Sequence, residues 1–306
     1  MARVLVLAIV SIAAALAAAA ASAQPSTKIN LAYAVAAEFL PAFVAKDEGY
    51  FEKRGLDVKL SVMGNPALAP AALTAGSLDI SILTPPNLLL ANEGGLDLVA
   101  IAGVARIQKA NPRSSLVTRT GLGIAKPEDL KGKKIGVPGI NSSLDLVFKA
   151  WLRQHNIPLD HVTSVETPFA QMPDMLKGGQ VDGVISMEPL LTRIVASGAG
   201  ARTFDVQSEV NPDFLGGFWG TTRDWATSHR PAIAAFRAAL HDALDFINDH
   251  PDDARAIEQK YIHYVDPSPL SVRIELVPGD FEFWIKICAE LGQLHQPADP
   301  ARIVFQ

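Results

Sequence analysis

The sequence predicts an α/β protein built as two similar, doubly wound lobes. Strand-like and helix-like segments alternate along the chain, and the alternation starts again after Arg113. One phrase is also written twice, as "LTAGSLDISIL" at 73–83 and as "LKGGQVDGVIS" at 176–186. Strands spaced by helices are the grammar of β-α-β units, in which a sheet of parallel strands is covered on both faces.

Taken in order, "KINLAYA" (28–34) reads as a strand, and "EFLPAFVAKDEGYFEKRG" (38–55) as one helix with Leu40, Phe43 and Val44 on its apolar face. "LDVKLSV" (56–62) alternates strictly, with Leu56, Val58, Leu60 and Val62 on one side, the mark of a half-buried strand. "PALAPAALTAG" (66–76) is helical, with Pro66 suited to the first turn and Gly76 to the cap. Strand "LDISIL", helix "NLLLANEGG" and strand "LDLVAIAGV" complete the first set. The second set runs through strands "SSLVTRT" and "KKIGV", the amphipathic helix "LDLVFKAWLRQHNI", strand "HVTSVE", helix "MPDMLKGG", strand "VDGVIS" and helix "PLLTRIVASG". "GGFWGTT" (216–222) reads as a strand returning to the first unit, and the rest is mostly helical.

In the repeated phrase, Leu73, Gly76 and Asp79 correspond to Leu176, Gly179 and Asp182. Each copy reads as a helix stopped by glycine, then a strand that begins after aspartate. The copies are followed by Thr84-Pro85-Pro86 and by Met187-Glu188-Pro189, so each strand ends in a proline turn before a new helix. Ligands of open α/β sheets sit outside the carboxyl ends of strands, which points to those turns rather than to the repeated aspartates.

Residues 1–23 carry Arg3, a long apolar run and Ala21-Ser22-Ala23, the charged, apolar and small-x-small parts of a cleavable signal peptide. The chain of 306 residues has 27 Lys and Arg against 32 acids, a balance that argues against nucleic-acid binding. With 49% hydrophobic residues a sizeable core can form. The single cysteine, Cys288, allows no internal disulfide and reads as a buried small hydrophobe. The seven histidines show no metal-ligand spacing, and there is no phosphate-binding loop, dinucleotide fingerprint or serine nucleophile elbow. No catalytic, metal or cofactor-binding set is expected.

The segments "FVAKDEGYFEKRGLDVKL", "ALTAGSLDISI", "DLKGKKIGV", "MLKGGQVDGVISMEP" and "TTRDWATSHRPAIAAFRAALHDALDFINDHPDDA", in that order behind a leader, resemble the periplasmic substrate-binding proteins of ABC importers, in the nitrate, sulfonate, taurine and thiamine-precursor group. The resemblance covers about 28 to 293. It implies a periplasmic binding protein of type II, with two lobes joined by a hinge: lobe 1 from 24–108 and 214–306, lobe 2 from 109–213, and the helical C-terminal segment on lobe 1. It further implies a monomer that closes on a small solute (sulfonate- or taurine-like, a pyrimidine or an aromatic acid) and then meets an ABC permease. An enzyme resembling the eukaryotic thiamine-pyrimidine synthases is the alternative, although one cysteine cannot supply their cysteine-rich motif; a sensor subunit is another.

Loops that end strands and begin helices offer free N–H groups to a ligand. They place Ala37, Glu38 and Phe39, then Gly64 and Asn65, then Thr84 and Pro85 on lobe 1, and Asn141, Ser142 and Ser143, then Met187 and Glu188 on lobe 2. Asn141, Ser142 and Ser143 could hold a polar or anionic group or simply cap the helix. Met187 departs from the family's aromatic at that position. Glu188 could accept from an amine or ring N–H, or serve as a first-turn acid. Phe39, Phe169, Phe218 and Trp219 are candidate walls or core residues. Arg106 and Arg113, at the first crossover, could pair with a ligand acid or form salt bridges at the hinge surface.

Overall fold

The computed structural model describes residues 26–64, 66–266 and 268–306. The expected leader, 1–23, and Asn65 lie outside these residues. Among the described residues, ten strands form two five-stranded sheets. The first contains β1 (Thr27–Tyr33), β2 (Leu56–Val62), β3 (Ile80–Leu83), β4 (Leu98–Gln108) and β10 (Asp213–Thr222), in the order β2-β1-β3-β10-β4. The second contains β5 (Ser114–Arg119), β6 (Lys134–Val137), β7 (Thr163–Glu166), β8 (Gly183–Met187) and β9 (Gly200–Phe204), in the order β7-β6-β8-β5-β9. No helix of the described residues is long and apolar enough to cross a membrane.

Both sheets are mixed, where alternation along the chain led us to expect parallel ones. β1 runs parallel to β2 and β3, but β10 is antiparallel to β3 and β4. β6 runs parallel to β7 and β8, but β5 is antiparallel to β8 and β9. The reason is connectivity. β5 and β10 receive the chain from the other sheet, so they enter from the hinge end and run against the strands that began at the far end.

The helix expected over 38–55 is broken. A 3-10 turn (Ala37–Phe39) leads into Leu40–Asp47, and a separate turn of helix spans Tyr50–Lys53. Gly49 between them has φ of 69°, a left-handed conformation that stops a helix and suits glycine. In β2 the alternation holds at Leu56 and Val58, which are buried, and fades toward Val62, which is exposed.

The repeat is a repeated piece of structure. Gly76 and Gly179 have φ of 69° and 70° and end their helices in the same way. Asp79 Oδ2 accepts from the Asn30 N–H of β1 at 2.7 Å, and Asp182 Oδ2 accepts from the Lys134 N–H of β6 at 3.0 Å. The same aspartates donate their own N–H to Asn30 and Lys134 carbonyls, at 2.9 and 2.7 Å. Each therefore fastens the start of a central strand to its parallel neighbour, at the middle of β1 in one sheet and at the first residue of β6 in the other.

The C-terminal helices do not all pack on the first sheet. Arg230–Asp249 and Pro251–Ile262 lie against Leu40–Asp47, but Glu282–Glu290 lies against both Pro85–Glu93 of the first lobe and Ser143–Gln154 of the second. One apolar cluster accordingly runs from Leu83 and Leu88 through Trp284 and Cys288 to Val147 and Trp151. Beyond the helices, 271–274 covers the outer edge of β4: Gly103 and Arg106 donate their N–H to Ile274 and Ser271 carbonyls.

Candidate functional site

The strand registers fix where the ends point. β3 meets β10 with Leu83 opposite Phe218 and Ser81 opposite Gly220, so the carboxyl end of β3 lies toward Asp213, where β10 leaves the hinge. β1 and β2, parallel to β3, end on the same side. In the second sheet Met187, at the end of β8, stands opposite Ser114, the first residue of β5. β6 and β7, parallel to β8, end there too. β4 and β9 end on this side too, and the loops that follow the other six strands gather on the hinge side of the two sheets, where the resemblance implies a ligand cleft. These are 34–39, 63–68 and 84–87 on one side, and 138–143, 167–171 and 187–189 on the other.

The loops carry exposed apolar side chains. Among the described residues the large hydrophobic side chains that remain exposed are Val35, Val62, Leu68, Ile140, Phe169, Val195 and Val277. All but the last two stand on these loops or, for Val62, at the strand end. Val35 is 56% exposed and Leu68 60%, values that core packing does not explain.

The site residues expected from sequence divide into three groups. Gly64, Thr84, Asn141, Ser142, Ser143, Phe169, Met187 and Glu188 lie on the cleft loops with at least part of their surface open. Ala37, Glu38, Phe39 and Pro85 occupy the same loops but are buried. Phe39 packs edge-on against Trp219 at 5.3 Å between ring centroids. Trp219 and Phe218 are core residues of β10, since each inward ring removes a large apolar area from water. Asn65 is outside the described residues.

Ser142 is the N-cap of the Ser143–Gln154 helix, its Oγ accepting from the Asp145 N–H. The buried Asp145 carboxylate accepts from the Asn141 N–H at 2.8 Å and Ser164 Oγ at 3.0 Å, and Lys149 Nζ stands 2.7 Å away. Asn141 takes a left-handed φ of 62° to reach it, which asparagine tolerates better than most residues. The Thr84 hydroxyl donates to Asn87 Oδ1. Glu188 spends its two oxygens on Thr192, one on the N–H at 3.2 Å and one on the hydroxyl at 3.0 Å.

At the hinge itself Arg113 is buried, not on the surface, and so is the pair it forms with Glu38, 2.7 Å from Nε to Oε1. The contact is short but off the N–H axis, so it is a charge pair more than a hydrogen bond. Arg113 also donates to Asp266. Asp266 donates its N–H to the buried Glu258 at 3.3 Å. Burial alone works to raise the Asp266 pKa, yet the bonds from Arg113 and from the Ser268 N–H hold it below the ordinary carboxylate value. Burial wins at Glu258, whose pKa is raised. Arg106 pairs with Asp213 and Asp280 and braces the same crossover. Sequence reasoning missed the acids of this network because Asp266 and Glu258 come to Arg113 from far along the chain, with no local motif to mark them.

The chain as a whole resembles known proteins. A Brucella abortus protein named only as a binding protein is 27% identical over 277 residues, 84% of this chain and 83% of that one. The 4-amino-5-hydroxymethyl-2-methylpyrimidine phosphate synthase of Schizosaccharomyces pombe is 27% identical over 242 residues, 74% of this chain and 65% of that one. The crystal structure of the periplasmic aliphatic sulphonate binding protein of Escherichia coli superposes with a TM-score of 0.76 at 17% identity, covering 91% of this chain and 97% of that one, and so shares the fold of a type II periplasmic binding protein. The family model described as NMT1/THI5 like matches residues 36–254, most of the chain, and the protein belongs to that family.

Proposed function

We propose that this protein is a solute-binding component of an ABC importer, which works in the periplasm after loss of its leader and captures a small polar organic solute between its lobes. The observation that carries this reading is the gathering of the loops after six strands on the hinge side of the two sheets, where they keep apolar side chains exposed. A solute touching both walls favours the closed arrangement through its greater affinity for that state, and the closed form is what a permease would meet. Thr84, Asn141, Phe169, Met187 and Glu188 are the contacts we assign. The protein acts as a monomer, with no cofactor and no catalytic group. Relatives named as binding proteins support this class, while the yeast synthase supplies the competing reading of an enzyme on a related sequence.

The test is a thermal-shift panel of sulfonates, amines, pyrimidines and aromatic acids on the mature protein. A solute present at a hundred times its Kd stabilises by about 2.7 kcal/mol, a readable shift. The bound solute should be recovered unchanged. Its chemical conversion would overturn the binding reading in favour of the enzyme. Phe169→Ala, at a partly exposed position, should weaken the hit while moving stability by only about 0.5 kcal/mol.

A further inference from the structure

We infer that the cleft takes an amphipathic organic cation, a protonated amine or amidine carried on an apolar or aromatic body. This rests on the solute-binding reading and narrows it.

Charge is the first argument. The loops 34–39, 63–68, 84–87, 138–143, 167–171 and 187–189 contain no lysine and no arginine, but they contain Glu38 and Glu188. Two cations stand beside them, and both are committed: Arg113 to Glu38 and Asp266, and Lys149 to Asp145 and to Asn141 Oδ1 at 3.2 Å. The Glu188 charge also acts on Arg113. One guanidinium therefore stands among the carboxylates of Glu38, Asp266 and Glu188, an excess of negative charge. Each carboxylate oxygen can accept more than one hydrogen bond, so Glu188 can receive an ammonium while it holds Thr192.

The helix start is the second argument. An oxyanion without a cationic side chain would look for the amino end of a helix. At Ser143–Gln154 that end already faces the buried carboxylate of Asp145, which takes the Asn141 N–H, the Ser164 hydroxyl and the Lys149 ammonium. An anionic head group there would sit beside a negative charge and find the Asn141 and Asp145 N–H groups already used. The third argument is the walls. Val35, Val62 and Leu68 on the hinge-side loops of one lobe, and Ile140 and Phe169 on those of the other, keep their side chains exposed. They offer an apolar body more contact than a bare inorganic ion could use.

Isothermal titration of the mature protein at neutral pH with phenethylamine, phenethyl alcohol, hydrocinnamate, benzylsulfonate and methylamine tests this directly. Phenethylamine should bind at least about tenfold tighter than either acid, because like-charge contacts in a cleft are costly. Methylamine, which lacks the apolar body, should bind more weakly than phenethylamine. Glu188→Gln should weaken phenethylamine by about threefold, the scale of one partly exposed charge pair, and leave phenethyl alcohol unchanged. A carboxylate or sulfonate that binds as tightly as the amine overturns the charge assignment and leaves the solute-binding reading standing. Silence of all these probes while another member of the wider panel binds overturns this inference alone. Silence of the whole panel overturns both.

Discussion

Arg113→Met removes one positive charge and leaves Glu38 and Asp266 where they are. Both carboxylates are buried, with side chains 9% and 3% exposed. Truncating one member of a buried ion network costs about 3–5 kcal/mol, most of it the penalty of burying the remaining charge without a partner. The lower part of that range is expected, because the Ser268 N–H still reaches Asp266 at 2.9 Å. Urea unfolding followed by tryptophan fluorescence should show the loss as a lower midpoint with an unchanged slope. The pH dependence has a fixed sign. In the wild type the Asp266 pKa lies below its ordinary value of 3.8, so its contribution is complete above that value and disappears as pH falls through the folded pKa. Without Arg113 most of that contribution is lost and only the Ser268 bond remains, so the gap between variant and wild type is widest at neutral pH and narrows in acid. Adding Glu38→Gln and Asp266→Asn to Arg113→Met should recover most of the loss, since neutral isosteres replace the two carboxylates that Arg113 had paired. A single variant within about 1 kcal/mol of wild type at neutral pH, or a gap that widens in acid, would refute the buried network.

Four further outcomes follow from the same geometry. Asp79→Ala and Asp182→Ala each lose a carboxylate that holds a neighbouring strand's N–H, at a cost of about 1–2 kcal/mol in urea unfolding, with solute affinity unchanged; lost affinity at full stability would instead put these residues in the cleft. In Gly103→Ala the new Cβ would lie 2.0 Å from the Arg273 carbonyl oxygen, so the variant should lose ~3 kcal/mol or more, or fail to accumulate as soluble protein, and a normal melting temperature would contradict the close packing of 271–274 on β4. Because the folded Glu258 pKa is raised above 4.5, its contribution to stability falls as pH rises through that window; Glu258→Gln should therefore be more stable than wild type at neutral pH, by on the order of 1 kcal/mol, with no gain in acid. The Cys288 thiol is buried and its pKa is pushed up to about 12, so a thiol reagent at mildly alkaline pH should label it only as fast as the chain unfolds, and rapid labelling of the native protein would contradict its burial.

What could be read from the sequence is what local chemistry decides. Gly76 and Gly179 announce helix ends because the left-handed conformation they adopt is one that other residues resist, and the strands after them follow from their apolar runs. The turns after β3 and β8 could be placed for the same reason, as prolines cannot continue a strand. Strand direction could not. Nothing in "SSLVTRT" or "GGFWGTT" states that the chain enters from the hinge end, so β5 and β10 read like their parallel neighbours although they run against them. Burial of single residues was equally silent. Phe39 and Phe169 both follow strands in loops of one kind, yet one is packed against Trp219 and the other is open to the cleft. The difference lies in what each loop's own lobe packs against the ring, Trp219 of β10 in the case of Phe39, and that is a property of the assembled fold.

The repeated phrase and the hinge network divide the work of the site between them. Asp79 and Asp182 perform the same task in each sheet, so they set where two strands deliver their ends and say nothing about what is bound there. The two copies part company only after the strands stop. One continues into Thr84 and Pro85, a hydroxyl turned to Asn87 and a buried ring. The other continues into Met187 and Glu188, a flexible apolar side chain and a charge. An arrangement of equivalent scaffolds with unequal ends is suited to an unsymmetrical solute. The charged end of such a solute belongs on the side of Glu188 and the acid-rich hinge, and its body belongs across the exposed side chains of Val35, Leu68, Ile140 and Phe169. If the two ends of the cleft were interchangeable, Glu188→Gln and Phe169→Ala would weaken every probe in the same proportion. Because charge sits at one end and apolar surface spreads over the walls, the first variant should act on the amines alone and the second on every probe with an aromatic body.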